Sequence, residues 1–102
     1  MKVHNKLVRD QIPEIIEQSG RKAAIRTLIK DEYLAALETK LMEEANEYLS
    51  SPCMEELADM LEVMEAICKA RGYDIKQLLE IKAQKKKERG GFEKRVFLEY
   101  VD

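Results

Sequence analysis

Two neighbouring stretches of this chain carry apolar residues at three- and four-residue steps, and only Ser51-Pro52 separates them. In the first, Leu34, Leu37, Leu41, Ala45, Tyr48 and Leu49 recur with the helical period, which predicts a helix opened by Asp31 and running to about Ser50. In the second, Leu57, Leu61, Met64 and Cys68 follow one side until Arg71-Gly72 stops the pattern. Serine before proline is the usual cap and first residue of a helix, so Ser51-Pro52 reads as a break and a new start. A loop this short makes the two helices antiparallel neighbours.

The flanking segments read as additions to this hairpin. Asp10 is a plausible N-cap of a short helix with Pro13 in its first turn, ended by Ser19-Gly20. Residues 22–28 lack helical period and read as a connector or short strand. Asp74 caps a further helix with Ile75, Leu78 and Leu79 inward, which closes on a cationic last turn and Gly90-Gly91. Residues 96–101 have strand character. The expected fold is an all-α bundle of antiparallel helices, with short strands near 22–28 and 96–101. No repeat or linker divides it, so residues 1–102 form a single domain.

A domain of 102 residues buries a limited fraction of its surface, which leads us to expect a homodimer or higher homo-oligomer. The 20 acidic and 18 basic residues leave a net charge of −2, which argues against a nucleic-acid partner bound through a basic surface. No apolar run approaches the roughly 20 residues that span a bilayer, and the first residues lack a secretory pattern. The expectation is a cytoplasmic protein without a membrane partner. Cys53 and Cys68 would stand about 22 Å apart along one helix, too far for a disulfide. With His4 the sole histidine, a structural zinc site is also improbable.

The informative charges are those on a face that apolar residues otherwise claim. At about 100° per residue, Glu55, Glu62, Glu65 and Lys69 share a solvated side. Glu56 and Asp59 instead align with Met60, Val63 and Ile67, a second apolar stripe beside the leucine one. On the preceding helix Glu44 projects next to Leu37 and Tyr48, with Glu47 one turn on and Lys40 one turn before, while Glu43, Glu32 and Asn46 read as surface. Either acidic pair alone reads best as rim acids paired with a cation such as Lys40. Two pairs facing each other predict a four-carboxylate nest, and like charges gathered inward call for Mg²⁺ or a similar hard cation.

The run Lys40-Leu41-Met42-Glu43-Glu44-Ala45-Asn46-Glu47, followed by Glu55-Glu56-Leu57-Ala58-Asp59-Met60-Leu61-Glu62, resembles the ExxE…ExxD signature of the MazG-like all-alpha nucleoside triphosphate pyrophosphohydrolases, which include the phosphoribosyl-ATP pyrophosphohydrolases. The opening Asn5-Lys6-Leu7-Val8-Arg9-Asp10 and the closing Arg89-Gly90-Gly91-Phe92 resemble a small house-cleaning branch of that superfamily. The resemblance implies a MazG-like bundle in which Glu44, Glu47, Glu56 and Asp59 hold Mg²⁺, with Mn²⁺ as a substitute. It implies hydrolysis of a nucleoside triphosphate, including noncanonical ones, at the α-phosphorus to monophosphate and pyrophosphate. Gln11 stands where branch members often have lysine, and His4 where they often have an aromatic; both bear on substrate preference rather than on the acids.

In that chemistry a carboxylate left free of metal, Glu44 or Glu47, orients or deprotonates the attacking water. Lys82, Lys85 and Arg89 continue the line of Leu78 and are candidates for the phosphates, although cations at a helix C-terminus also complement its dipole. Lys6 and Arg9, supported mainly by the resemblance, and Lys40 are further phosphate candidates. Phe92 is a candidate for stacking on a base, against the commoner role of a core aromatic. The rival readings are a non-catalytic helical dimerisation module, a nucleotide-binding regulator that keeps the site without turnover, and a di-iron carboxylate bundle. The last lacks the histidines its helices need.

Overall fold

The computed structural model describes residues 1–102 and is all-helical: α1 (Ile12–Gln18), α2 (Lys30–Ser50), α3 (Met54–Arg71) and α4 (Ile75–Arg89). No strand forms, so the strands expected near 22–28 and 96–101 are corrected to irregular backbone. An extended segment becomes a strand only when a second one completes its hydrogen-bond ladder, and neither segment has such a neighbour.

Local chemistry sets the helix ends. Before α1 the cap position belongs to Gln11, without a side-chain bond, and not to Asp10 as expected. A backbone turn closed by Ile12 N–H donating to Arg9 O at 3.1 Å starts that helix instead. At the start of α2 the Glu32 carboxylate accepts from Ile29 N–H at 3.4 Å and from both terminal nitrogens of Arg26 at 3.2 Å. The bidentate guanidinium holds the Glu32 carboxyl below the usual carboxylate range.

The break between the central helices also shifts. Ser51 donates its N–H to Glu47 O at 3.0 Å and so closes α2, while Pro52 keeps it out of the helical region. Cys53, extended and without a side-chain bond, then takes the cap position of α3, two residues later than Ser51-Pro52 predicted. The other end of α3 is as expected: Gly72 takes φ 75°, which lets Gly72 N–H reach Lys69 O and Tyr73 N–H reach Cys68 O at 2.8 Å. Asp74 caps α4, its Oδ1 accepting from Lys76 N–H at 2.9 Å.

Helices α2 and α3 pack on each other along the hairpin, α4 adjoins α3 alone, and the backbone of α1 approaches no other helix. The α3 face turned to α2 is the stripe of Val63, Met60 and Ile67 that also carries Glu56 and Asp59. The neighbouring stripe of Leu57, Leu61 and Met64 points outward, with Leu61 56% exposed; of that stripe Cys68 alone is buried. With one long neighbour in the chain, α3 can cover one of its two stripes. Ile75, Leu78 and Leu79 of α4, expected inward, are exposed for the same lack of a neighbour.

The result is an open molecule. Its accessible surface is 9801 Å², against about 6,000 Å² for a compact monomer of 11.9 kDa. The radius of gyration is 18.1 Å, where a compact chain of this length has about 13 Å. Leu37, Val63, Cys68 and Glu44 are its buried residues, and one of those four is an acid.

Candidate metal centre

Glu44 lies two turns beyond Leu37 on α2, so the packing that buries Leu37 against α3 carries Glu44 inward as well. Glu56 and Asp59, one turn apart on the packed stripe of α3, meet it there half-buried. Carboxylate oxygens of Glu44, Glu56 and Asp59 all lie within 4.8 Å of one another. Glu44 is 6% exposed; its Oε1 sits 3.4 Å from Lys40 Nζ, while its Oε2 is buried with no hydrogen-bond partner. Glu56 Oε2 is orphaned in the same way. Asp59 Oδ1 accepts from Arg9 Nη2 at 2.7 Å.

The four acids expected to form one nest fall into two close triads that share Glu44. Glu47 is exposed and groups with Glu43 and Glu44 on α2, apart from Glu56 and Asp59. Glu43, read as surface, is half-buried: its Oε1 lies 3.3 Å from Lys40 Nζ and 3.7 Å from Lys6 Nζ. Lys40 meets it from one turn before on the same helix, whereas Lys6 comes from outside α2, a contact that helical projection cannot contain.

Burial, reinforced by the adjoining Glu47 carboxylate, pushes the Glu44 carboxyl above its ordinary value, and Lys40 opposes the shift. Between the ordinary value and the raised one, the folded protein holds a proton that the unfolded chain has released. Stability of the metal-free protein from this group is therefore full below the ordinary glutamate value and lost as pH rises through the raised one. Calorimetry in chelator should show the Tm gaining on this account as pH falls toward the ordinary glutamate value. Glu44→Gln should flatten that part of the profile; an unchanged profile in the variant would assign the dependence elsewhere.

The donors suit a hard cation. They are all oxygens, two are buried without partners, and a cation 2.0–2.6 Å from each ligand holds them no more than about 5 Å apart, as this triad already does. An orphaned carboxylate oxygen inside a protein is costly unless something positive meets it. Glu44, Glu56 and Asp59 are thus the residues able to hold a metal ion, with Glu47 beside them.

A cavity of about 500 Å³ opens on Glu44 and Asp59 and is lined also by Arg9, Tyr33, Lys40 and Val63 among others, with residues 7–12 forming one wall. Tyr33 was not singled out from sequence, although it precedes Leu37 by one turn on the face that continues to Lys40 and Glu44. Arg9 and Lys40 stand at the acids, and Lys6 reaches Glu43. Lys82, Lys85 and Arg89 are exposed on α4 and take no part in this cavity. Phe92, 96% exposed beyond Gly90-Gly91, is neither core nor cavity wall.

Comparison with known proteins adds one stretch of similarity. Over 41 residues the chain is 63% identical to an uncharacterized protein of Mycolicibacterium smegmatis, which covers 40% of this chain and 42% of that one. The chain thus matches less than half the length of that relative. No protein-family model and no solved structure matches it. No helix is long and apolar enough to cross a membrane.

Proposed function

We propose that this chain is a Mg²⁺-dependent nucleoside triphosphate pyrophosphohydrolase of MazG-like type. It converts a nucleoside triphosphate, noncanonical ones included, to the monophosphate and pyrophosphate, a house-cleaning role in the nucleotide pool. The observation that carries the reading is Glu44: a buried carboxylate with an orphaned oxygen, facing two more carboxylates across a helical hairpin. The substrate and the bond cleaved rest on the resemblance of the two acidic motifs.

Glu44, Glu56 and Asp59 would hold the metal, with Mn²⁺ as a substitute. When bound, the cation neutralises phosphate charge and supplies Lewis acidity at the reacting phosphate. Glu47 is the better base of the two candidates, because it is exposed and outside the triad, whereas Glu44 is enclosed. Its carboxylate takes the proton of the attacking water as the water oxygen bonds to the α-phosphorus. The bond from that phosphorus to the bridging oxygen breaks, and pyrophosphate leaves with the electron pair. Lys40 and Arg9 line the cavity where the phosphates would lie, and Lys6 pairs with Glu43, which Lys40 also meets.

The outward stripe of α3 supports a homodimer or larger assembly. It also favours a second reading, a non-catalytic dimerisation module, but that reading leaves the buried acids without a purpose. The protein should be incubated with ordinary and modified NTPs and dNTPs, with and without Mg²⁺, and the products separated by chromatography beside Glu56→Ala. Monophosphate plus pyrophosphate, dependent on Mg²⁺ and lost in the variant, is the expected result. Intact nucleotide across the panel, from folded protein that binds Mg²⁺, would leave a nucleotide-binding regulator in its place.

A further inference from the structure

The segment before α1 is tied to the acids by cations. Lys6 Nζ lies 3.7 Å from Glu43 Oε1, and Arg9 Nη2 donates to Asp59 Oδ1 at 2.7 Å across 50 residues of sequence. The helix that follows approaches no other helix through its backbone, so these ion pairs and the cavity wall are what dock the segment. Residues 7–12 therefore lie as a strap that forms one wall of the acid cavity.

Arg9 takes up an oxygen of the same carboxylate that, with Glu44 and Glu56, forms the buried triad. A divalent cation held by that triad and the Arg9 guanidinium compete for Asp59, since two positive groups on one carboxylate repel each other. Lys40 differs: it sits between Glu43 and Glu44, and its side chain is only 17% exposed, against 58% for Arg9. Of the two cations at the triad, Arg9 is the one free to leave. Once released into the cavity, a planar guanidinium is suited to bidentate contact with a phosphate.

We infer that Arg9 is the resident counter-ion of the metal centre: it neutralises Asp59 while no metal is bound, yields that carboxylate to the metal, and then receives the phosphates of the nucleotide. The inference rests on the metal-centre reading above. It makes binding ordered, metal before nucleotide, and gives Arg9 two effects of opposite sign. It opposes the metal when the metal comes alone, and it supports the nucleotide once the metal is in place. A side chain that merely steadied the fold would not split in this way.

The test titrates the full chain with Mn²⁺ alone, following free Mn²⁺ by electron paramagnetic resonance, for wild type, Arg9→Gln and Arg9→Lys. Exposed ion pairs of this kind are worth a factor of about 1.5 to 5 in an equilibrium constant, so Arg9→Gln should bind Mn²⁺ tighter by about that factor. Arg9→Lys should stay near wild type, and the gain should shrink in high salt. With Mn²⁺ saturating, Arg9→Gln should bind an α,β-methylene triphosphate analogue more weakly than wild type. A companion measurement needs no variant: Mn²⁺ should speed tryptic cleavage after Arg9 in the wild-type protein. Mn²⁺ affinity that is equal or weaker in Arg9→Gln, or cleavage that Mn²⁺ does not speed, overturns the inference and leaves the metal centre standing. A wild-type protein that binds no Mn²⁺ overturns both.

Discussion

Under the proposed function, Glu44→Gln is expected to lower kcat/KM for triphosphate hydrolysis by about 10²- to 10³-fold and to abolish the rise in Tm expected of the wild type with Mg²⁺, while leaving the metal-free protein at least as stable. The first effect follows from the several kcal/mol that a catalytic cation contributes to stabilising charge in the transition state. The second follows from linkage: a ligand stabilises the fold only in proportion to its occupancy of the folded state. The third separates this residue from an ordinary structural acid. In the metal-free protein Glu44 is buried beside Glu47 and has one oxygen without a partner, so an uncharged isostere relieves a burden on the fold. Lys40 keeps Glu43 as a partner after the change. Thermal melts with and without Mg²⁺, beside the product assay, read all three; a variant that is destabilised in chelator would make Glu44 a structural partner of Lys40 and sink the metal assignment.

Leu61→Glu is expected to convert a multimer into a monomer by sedimentation and to lower Tm by on the order of 10–20 °C. Within a single chain the substitution is nearly silent, because Leu61 is already 56% exposed. If a second copy covers the outward stripe, the change removes the burial of a leucine, about 1.5–3 kcal/mol, and places an unpaired charge in the contact. The excess surface is of the right scale for such a partner. Roughly 3,800 Å² separates this chain from a compact monomer, more than the roughly 1,000–2,500 Å² that each partner of an obligate homodimer buries, so the surface for such a contact is present. A wild type that sediments as a monomer, with Leu61→Glu melting at the same temperature, would refute self-association through α3. The metal reading would survive that outcome, since Glu44, Glu56 and Asp59 come from one chain.

What was legible in the sequence was whatever one helix carries by itself. The two long helices follow from the spacing of Leu34, Leu37 and Leu41 and of Leu57, Leu61 and Met64, and the sharp ends at Gly72 and Asp74 follow from backbone and capping chemistry. That Glu44, Glu56 and Asp59 point the same way as apolar neighbours is also a property of single helices, because a 3.6-residue period assigns every side chain a direction. Two expectations failed where a second segment had to be present. Residues 22–28 and 96–101 had the composition of strands and no ladder to join, and α4 had an apolar side and almost nothing to lay it on.

The choice between the two stripes of α3 could not be made from sequence. Leu57, Leu61 and Met64 are the more apolar set, and a reading by hydrophobicity alone puts them in the core. The hairpin instead turns the mixed stripe of Glu56, Asp59, Met60, Val63 and Ile67 against α2, which brings the acids to Glu44 and sends the leucines outward. Periodicity determined which residues share a face and which carboxylates could act together. Tertiary packing decided which face meets which, that Glu47 stands outside the triad, and that Arg9, 50 residues away in sequence, closes on Asp59. The physical reason is that a helix fixes the direction of each side chain through local hydrogen bonds, whereas burial, ion pairing and the shift of a carboxyl depend on what the rest of the chain places opposite it.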